Sequence, residues 1–161
     1  MTINMYTVDE AYVDYLSSFS KVMFHNSKPN QKNSRKYIGI VMTVHSMDYF
    51  IPLSSFKKKH YKMKESLDFI KLHDYSVINI NNMFPVPEKL YTKIDFSKEK
   101  DKNYVYLLRN EYRLIQVKEK LIRKNAKIVY KIKTNPKDNS SLSKRCNDFL
   151  LLEQKAKEYH Y

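Results

Sequence analysis

Gly39 is the only glycine in this chain of 161 residues. Glycine supplies the positive backbone φ angles and the close backbone approach that phosphate-binding loops require. Motifs such as G-x-x-x-x-G-K-[ST] and G-x-G-x-x-G each need several glycines. The sequence therefore excludes a P-loop nucleotide triphosphatase or a dinucleotide-dependent enzyme, and asparagine is expected at the positive-φ turns.

Positive charge dominates the chain. Lysine and arginine number 30 against 17 aspartates and glutamates, which gives a formal net charge of +13. Between Asp14 and Glu65 the only acidic residue is Asp48, and from Lys118 to Lys137 it is Glu119. A basic face of this kind favours a polyanionic partner such as nucleic acid. A lysine-rich surface with no specific ligand is the alternative interpretation.

The length of the chain predicts a single domain over residues 1–161. Cys146 is the only cysteine, so it forms neither an internal disulfide nor a multi-cysteine metal site. The histidines have no metal-ligand spacing, and we predict neither a metal nor a cofactor. Since no signal peptide or membrane span is recognisable, we expect a cytoplasmic location.

Hydrophobic periodicity predicts strands early in the chain and helices late. The predicted strands are Met5–Val8, Tyr37–Val44, Tyr49–Leu53, Leu67–Leu72, Val77–Ile80 and Met83–Val86. Ser46–Asp48 is interpreted as a turn, and Pro52 as the end of pairing or an edge.

Three helices are predicted: one capped by Asp9, one over Asp101–Asn125, and a final one with Leu142, Cys146, Phe149 and Leu150 on one face. Ile128–Ile132 fits either a last strand or a continuing helix. This order favours an α+β fold with a mainly antiparallel sheet.

The segment Leu53–Lys57 carries the groups that RNA cleavage without a metal needs. In that reaction the 2′-hydroxyl of RNA attacks the adjacent phosphate, and the protein aligns the attack and stabilises the developing negative charge. The hydroxyls of Ser54 and Ser55 and the ammonium group of Lys57 are expected to face one phosphate. The alternative is a solvated turn.

Other residues are candidates to support such a site. Arg35 precedes the strand that contains Gly39, and its guanidinium can hold a phosphate through two hydrogen bonds. His60 lies in the basic segment and can carry a proton near neutral pH. The residues predicted to bind RNA, by charge or by stacking on bases, are Lys32, Lys36, Tyr37, Phe56, Lys58, Lys59, Tyr61, Lys62, Lys64, Lys118, Arg123 and Lys124.

The chain as a whole resembles the ToxN/AbiQ toxins of type III toxin–antitoxin and phage-abortive systems. The stretches that carry the resemblance follow one another in family order over nearly the whole chain: Met5–Val8, Tyr12–Leu16, Arg35–Val41, Phe50–Lys57, Phe69–His73, Val77–Ile80, Met83–Val86, Leu107–Leu108, Gln116–Val117, Cys146–Phe149 and Leu152–Glu153.

The resemblance implies a compact twisted antiparallel sheet with flanking helices, related to the Kid/MazF toxin fold. It implies an endoribonuclease that is inhibited by a small pseudoknotted RNA, which the toxin cuts from tandem repeats, and a toxin–RNA ring. Ser54 and Ser55 take the place of the family's Thr/Ser-Ser pair, Lys57 matches the motif lysine, and Arg35 takes the basic position before the glycine-bearing strand. Gln31 stands about where the family has an aromatic residue.

Two other functions remain open on the residues alone. A non-catalytic basic module that binds RNA or DNA explains the charge equally well. A membrane-surface protein requires a basic amphipathic helix, which the mixed charges of Asp101–Asn125 disfavour.

Overall fold

The computed structural model describes residues 2–23 and 35–160. Its strands are β1 (Asn4–Val8), β2 (Tyr37–Val44), β3 (Met47–Ser55), β4 (Phe69–Leu72), β5 (Ser76–Asn79), β6 (Phe84–Val86) and β7 (Tyr91–Lys93). Its helices are α1 (Glu10–Ser17), α2 (Lys102–Val117), α3 (Glu119–Thr134), α4 (Ser141–Arg145) and α5 (Phe149–Glu158). The strands pair antiparallel in the order β4-β5-β3-β2-β1-β7, with β6 also paired to β3. The predicted α+β class with an antiparallel sheet is confirmed.

The sheet separates two hydrophobic cores. On the face that we call the α2–α3 face, Ile51 of β3 lies in one core with Ile122 of α3. On the opposite face, the α1–α5 face, Phe50 lies in a second core with Tyr12 and Leu152. Successive residues of β3 therefore alternate between the two cores, as extended backbone requires.

Gly39 serves packing rather than a turn. A Cβ atom at this position would lie 2.3 Å from a ring carbon of Phe50. The ring of Phe50 also meets Tyr6 edge to face at 5.1 Å. Any larger residue at position 39 would therefore displace an aromatic cluster on the α1–α5 face.

The turn between β2 and β3 lies one residue earlier than predicted. His45 and Ser46 form it with φ angles of 51° and 63°, and Met47 and Asp48 already pair with β2. A two-residue hairpin turn of type I′ requires positive φ at both central positions. Within residues 2–23 and 35–160 the positive-φ residues other than glycine are His45, Ser46 and His73, so the expectation of asparagine is wrong there.

Pro52 lies inside the sheet and not at its edge. It pairs with Tyr37 of β2. The next residue, Leu53, points its N–H toward the β2 side, where it donates to the carbonyl of Lys36. The nitrogen of Pro52 therefore faces the other side. There β3 changes partner, from β6 opposite Phe50 to β5 opposite Leu53. The missing donor falls in the gap between the two partners.

The predicted helix Asp101–Asn125 is two helices that meet at Lys118. Ile128–Ile132 belongs to α3, so the helical alternative is correct. The buried row runs through both helices at a spacing of seven, through Leu108, Ile115, Ile122 and Val129. The break escaped prediction because no glycine or proline marks Lys118.

The first helix agrees with the prediction, whereas the final helix and one strand do not. Asp9 caps α1 as predicted, its carboxylate accepting from the N–H of Tyr12 at 2.9 Å. The single final helix is wrong, because Cys146 ends α4 and Leu150, in α5, is exposed. Strand β7 was not predicted, since its three residues are polar or partly exposed and form a sheet edge.

Candidate active site and RNA-binding surface

Ser54 and Ser55 lie at the end of β3, where it pairs with β5. Ser54 is opposite Val77 and Ser55 is opposite Ser76. By the alternation of β3, Ser54 lies on the α1–α5 face, half-buried, whereas Ser55 lies on the α2–α3 face and is exposed. The expectation that both hydroxyls face one phosphate from within the strand is therefore wrong.

Arg35 reaches the same end of β3. Its Nη1 donates to the carbonyl oxygen of Leu53 at 3.3 Å, directly before the serine pair. Burial lowers the pKa of the Arg35 guanidinium from its high ordinary value, and Tyr37 opposes that shift. The structure thus places the predicted arginine beside Leu53, the residue that precedes the predicted serine pair.

The chain after β3 is organised by His60. The backbone N–H of Lys57 donates to Nδ1 of His60 at 2.8 Å, and the N–H of His60 donates to the carbonyl of Lys57 at 2.9 Å. The imidazole is buried and lies 5.4 Å from the ring of Phe56 and 5.6 Å from that of Phe69. Burial lowers the pKa of His60, and Lys59, Lys57 and Lys71 add to that shift.

His60 is therefore a neutral acceptor in a packed environment. Its Nδ1 is occupied by Lys57, so this nitrogen is not available to take a proton from a substrate. The geometry favours a role for His60 in holding the backbone of Lys57, and its proton-carrying role stays a prediction.

The lysines around this loop are open to solvent. Lys57, Lys58, Lys59, Lys62 and Lys64 are all exposed. Lys71 is a neighbour that the sequence analysis did not propose. It pairs with Val77, the partner of Ser54, on the α1–α5 face. The sequence feature that could have identified it is a single lysine among the apolar residues of the strand Phe69–Leu72.

The aromatic candidates differ in accessibility. Tyr61 is 66% exposed, and its ring meets half-buried Phe56 at 4.8 Å. Tyr37 is fully buried and packs edge to face against Phe84 at 5.5 Å. Its proposed stacking on RNA is therefore corrected, because Tyr37 is a core residue.

Lys36 is also not a free cation. Its Nζ lies 2.6 Å from Oε1 of Glu111, and the side chains are 14% and 1% exposed. The ammonium group is 5.2 Å from the centroid of the Tyr104 ring. The prediction that Lys36 binds RNA is therefore wrong. Lys36 instead forms an internal ion pair that joins the start of β2 to α2.

Only the basic residues at the start of α3 lie near the lysine-rich loop that follows β3. Lys118 is 3.4 Å from Glu65, which brings the start of α3 to the end of the lysine-rich segment. Arg123 donates to the carbonyl of Ile40 at 2.8 Å, and Lys124 is exposed. Farther along, α3 lines a groove with Val41–Val44, so its second half lies toward the opposite end of β2. Lys32 lies outside the described residues.

Three further findings concern the cysteine, metal binding and membrane spans. Burial raises the pKa of the Cys146 thiol to about 11, as expected of a core cysteine. Within residues 2–23 and 35–160, no three histidine, cysteine, aspartate or glutamate side chains are grouped so that they could hold a metal ion. Over the same ranges no helix has the length and apolar character to cross a membrane.

Comparison with known proteins gives consistent matches. A family sequence model for toxin ToxN of type III toxin–antitoxin systems matches residues 4–157. Endoribonuclease ToxN of Bacillus thuringiensis subsp. kurstaki is 31% identical, covering 96% of this chain and 82% of that protein. Endoribonuclease AbiQ of Lactococcus lactis subsp. lactis is 31% identical, covering 99% and 90%.

Two solved structures share the fold with a TM-score of 0.86 each. One concerns a bacterial antiviral system regulated by a processed non-coding RNA, at 25% identity, covering 98% of this chain and 99% of that one. The other concerns selective toxin inhibition by a non-coding RNA pseudoknot in type III toxin–antitoxin systems, at 29% identity, covering 99% and 98%.

The fold and these matches define the class of this protein as the toxin component of a type III toxin–antitoxin system. Within that class, the chain belongs to the ToxN family. The resemblance inferred from the ordered sequence stretches is confirmed.

Proposed function

We propose that this endoribonuclease toxin cuts RNA at the end of β3 by attack of the RNA's own 2′-hydroxyl, which leaves a 2′,3′-cyclic phosphate and a 5′-hydroxyl. Its relatives are endoribonucleases by name. The observation that carries the chemistry is the convergence at one strand end of the Arg35 guanidinium, bonded to the Leu53 carbonyl at 3.3 Å, with Ser55 and Lys57. This chemistry needs no metal ion.

We assign distinct roles to the groups. Ser55 and Lys57 are both exposed and two residues apart, a spacing that directs side chains to one side in extended chain. Their hydroxyl and ammonium groups donate to the phosphate as it gains negative charge. Arg35 adds a fixed guanidinium, and Ser54 is assigned a supporting role because it lies on the other face.

The RNA is proposed to run over the exposed lysines Lys58, Lys59, Lys62 and Lys64. Phosphate contacts position an RNA without reading its sequence. Tyr61 is assigned base recognition, because an exposed aromatic ring can stack on an unpaired base, and the half-buried Phe56 beside it is assigned to the same site. Lys118 and Lys124 extend the positive surface at the start of α3, and Arg123 lies beside it.

The proposed partner is a small pseudoknotted RNA that the toxin cuts from tandem repeats and that then inhibits it. One structural neighbour concerns toxin inhibition by a non-coding RNA pseudoknot, and another concerns a bacterial antiviral system regulated by a processed non-coding RNA. We propose growth arrest or phage defence in the cytoplasm as the biological role. The complex is proposed to be a ring of alternating toxin and RNA, since an RNA that bridges two proteins head to tail can close a ring. Light scattering that finds a one-to-one particle would exclude the ring.

The chemistry is tested by incubating the purified toxin with a defined RNA in EDTA and mapping the new ends. We expect cleavage to persist, with 5′ ends that accept phosphate from a kinase without prior phosphatase treatment. Loss of cleavage in EDTA that a divalent ion restores would overturn the metal-independent mechanism. Binding with no new ends would favour the non-catalytic RNA-binding module instead.

A further inference from the structure

Ser76, the first residue of β5, carries a buried hydroxyl. The residue is 2% exposed, and its Oγ has no hydrogen-bond partner among the parts of the chain that the structure describes. Burying a hydroxyl without a partner costs free energy, and native proteins contain few such groups. A buried hydroxyl that lowers stability in this way is expected to serve another purpose, such as function.

The neighbours of Ser76 in the sheet indicate what its hydroxyl could serve. It is the register partner of Ser55 across β3 and β5, and on its other side it pairs with Leu72 of β4. The next pair along the same face is Leu53 with Ile78. Ser55 is thus the hydroxyl-bearing residue among these direct neighbours, and the others are apolar.

The distance across such a pair is short. Side chains directly opposite in antiparallel strands have Cβ atoms about 4.5–5.5 Å apart, and hydroxyl oxygens on the two residues come within hydrogen-bond distance after a change of rotamer. The exposed Ser55 is free to make that change, whereas Ser76 is held in the core.

We propose that Ser76 is a positioning residue for the cleavage reaction and acts through Ser55. When Ser55 turns its O–H toward a phosphate oxygen, the O–H of Ser76 donates to Oγ of Ser55. The second hydrogen bond fixes the Ser55 rotamer and polarises its O–H, because hydrogen bonds in a chain strengthen each other. This inference rests on the proposed function, which places the substrate phosphate at Ser55.

The first test is Ser76→Ala, which shortens the side chain and adds no bulk. If the hydroxyl serves only the reaction, its removal relieves a buried unsatisfied group, and the melting temperature should stay equal or rise. The single-turnover cleavage rate should fall about tenfold, the effect of one neutral hydrogen bond. KM should stay near its original value, since Ser76 does not touch the RNA. A full rate with equal or higher melting temperature would overturn the proposal.

A second test compares two backgrounds. Ser76→Ala should lower the rate in Ser54→Ala by the same factor as in the unmodified toxin, because Ser54 lies on the other face. In Ser55→Ala, measured with excess enzyme to follow the residual rate, it should have no further effect. An equal loss in both backgrounds would show that Ser76 does not act through Ser55. If Ser55→Ala itself cuts RNA normally, the proposed site fails, and that result is distinct from a failure at Ser76.

Discussion

The backbone N–H of Lys57 and Nδ1 of His60 are joined by a 2.8 Å hydrogen bond in which the imidazole is the acceptor. The bond requires a deprotonated Nδ1, and therefore a neutral ring. Burial of the ring lowers the pKa of His60, and the positive charges of Lys59 and Lys57 in the same loop and of Lys71 on β4 add to that shift. The backbone at Lys57, the residue that we propose contacts the substrate phosphate, thus depends on the charge of His60.

This relationship predicts an acid-sensitive toxin. The pKa of His60 is lowered in the folded protein, so as pH falls below the ordinary histidine value of about 6.5 the unfolded chain binds more protons than the folded one. The contribution to stability is complete above that value and is lost as pH falls through the folded pKa. We expect both melting temperature and cleavage rate to decrease between about pH 6.5 and pH 5.

His60→Gln is the matched variant for this prediction. A glutamine side chain can accept from the Lys57 N–H in the manner of a capping box, and it does not titrate. The variant should keep most activity at pH 7.5 and lose less of it at pH 5 than the unmodified toxin, whereas His60→Ala should be slow at both. Parallel pH profiles for the unmodified toxin and His60→Gln would contradict this assignment.

Much of the sheet was predictable because strand periodicity is local. Tyr37–Val44 was predicted with both bounds correct, and Asp9 signalled the start of α1. The opposite faces of Ser54 and Ser55 also follow from alternation once β3 is known to extend through Ser55. The ion pair of Lys36 with Glu111 was not predictable, since the residues are 75 positions apart and only the packing of α2 brings them together.

The two serines should differ in their effect on cleavage. Ser55→Ala removes the exposed hydroxyl of the proposed site, and loss of one hydrogen-bond donor to a developing negative charge typically lowers the rate by about 10²–10³-fold. Ser54→Ala should lower the rate by less than about tenfold. Lys57→Ala should resemble Ser55→Ala, because it removes a cation from the developing charge. Ser141→Ala, an exposed serine on α4, is the control.

These variants are checked by single-turnover cleavage together with thermal melting. All should melt near the temperature of the unmodified toxin. A larger loss in Ser54→Ala than in Ser55→Ala would place the substrate phosphate on the α1–α5 face, where Lys71 lies, and would reverse the assignment.

Lys36 should prove to be a stability residue. Lys36→Met leaves the carboxylate of Glu111, 1% exposed, buried without its cation, and breaking a buried pair typically costs about 3–5 kcal/mol. Replacing both partners, as Lys36→Met with Glu111→Leu, should recover much of the loss, because no uncompensated charge remains. Chemical denaturation of the two variants tests this. RNA affinity should be unchanged in the double variant, and a marked loss there would restore Lys36 to the RNA-binding surface.

The exposed lysines should determine how salt weakens RNA binding. Replacing Lys58 and Lys59 together with alanine removes two phosphate contacts, so the slope of log K against log salt should become shallower by about 1.4, at about 0.7 per contact with single-stranded RNA. Substrate and antitoxin RNA should weaken alike, since phosphate contacts carry little sequence information. Lys89→Ala with Lys157→Ala, two exposed lysines away from the loop, should leave the slope unchanged.

Tyr61→Ala should change the preference among cleavage sequences and have little effect on the salt slope, because stacking reads bases and releases no counterions. Binding titrations at several salt concentrations separate the two effects, and a slope equal in the Lys58/Lys59 and control variants would remove this loop from the RNA path.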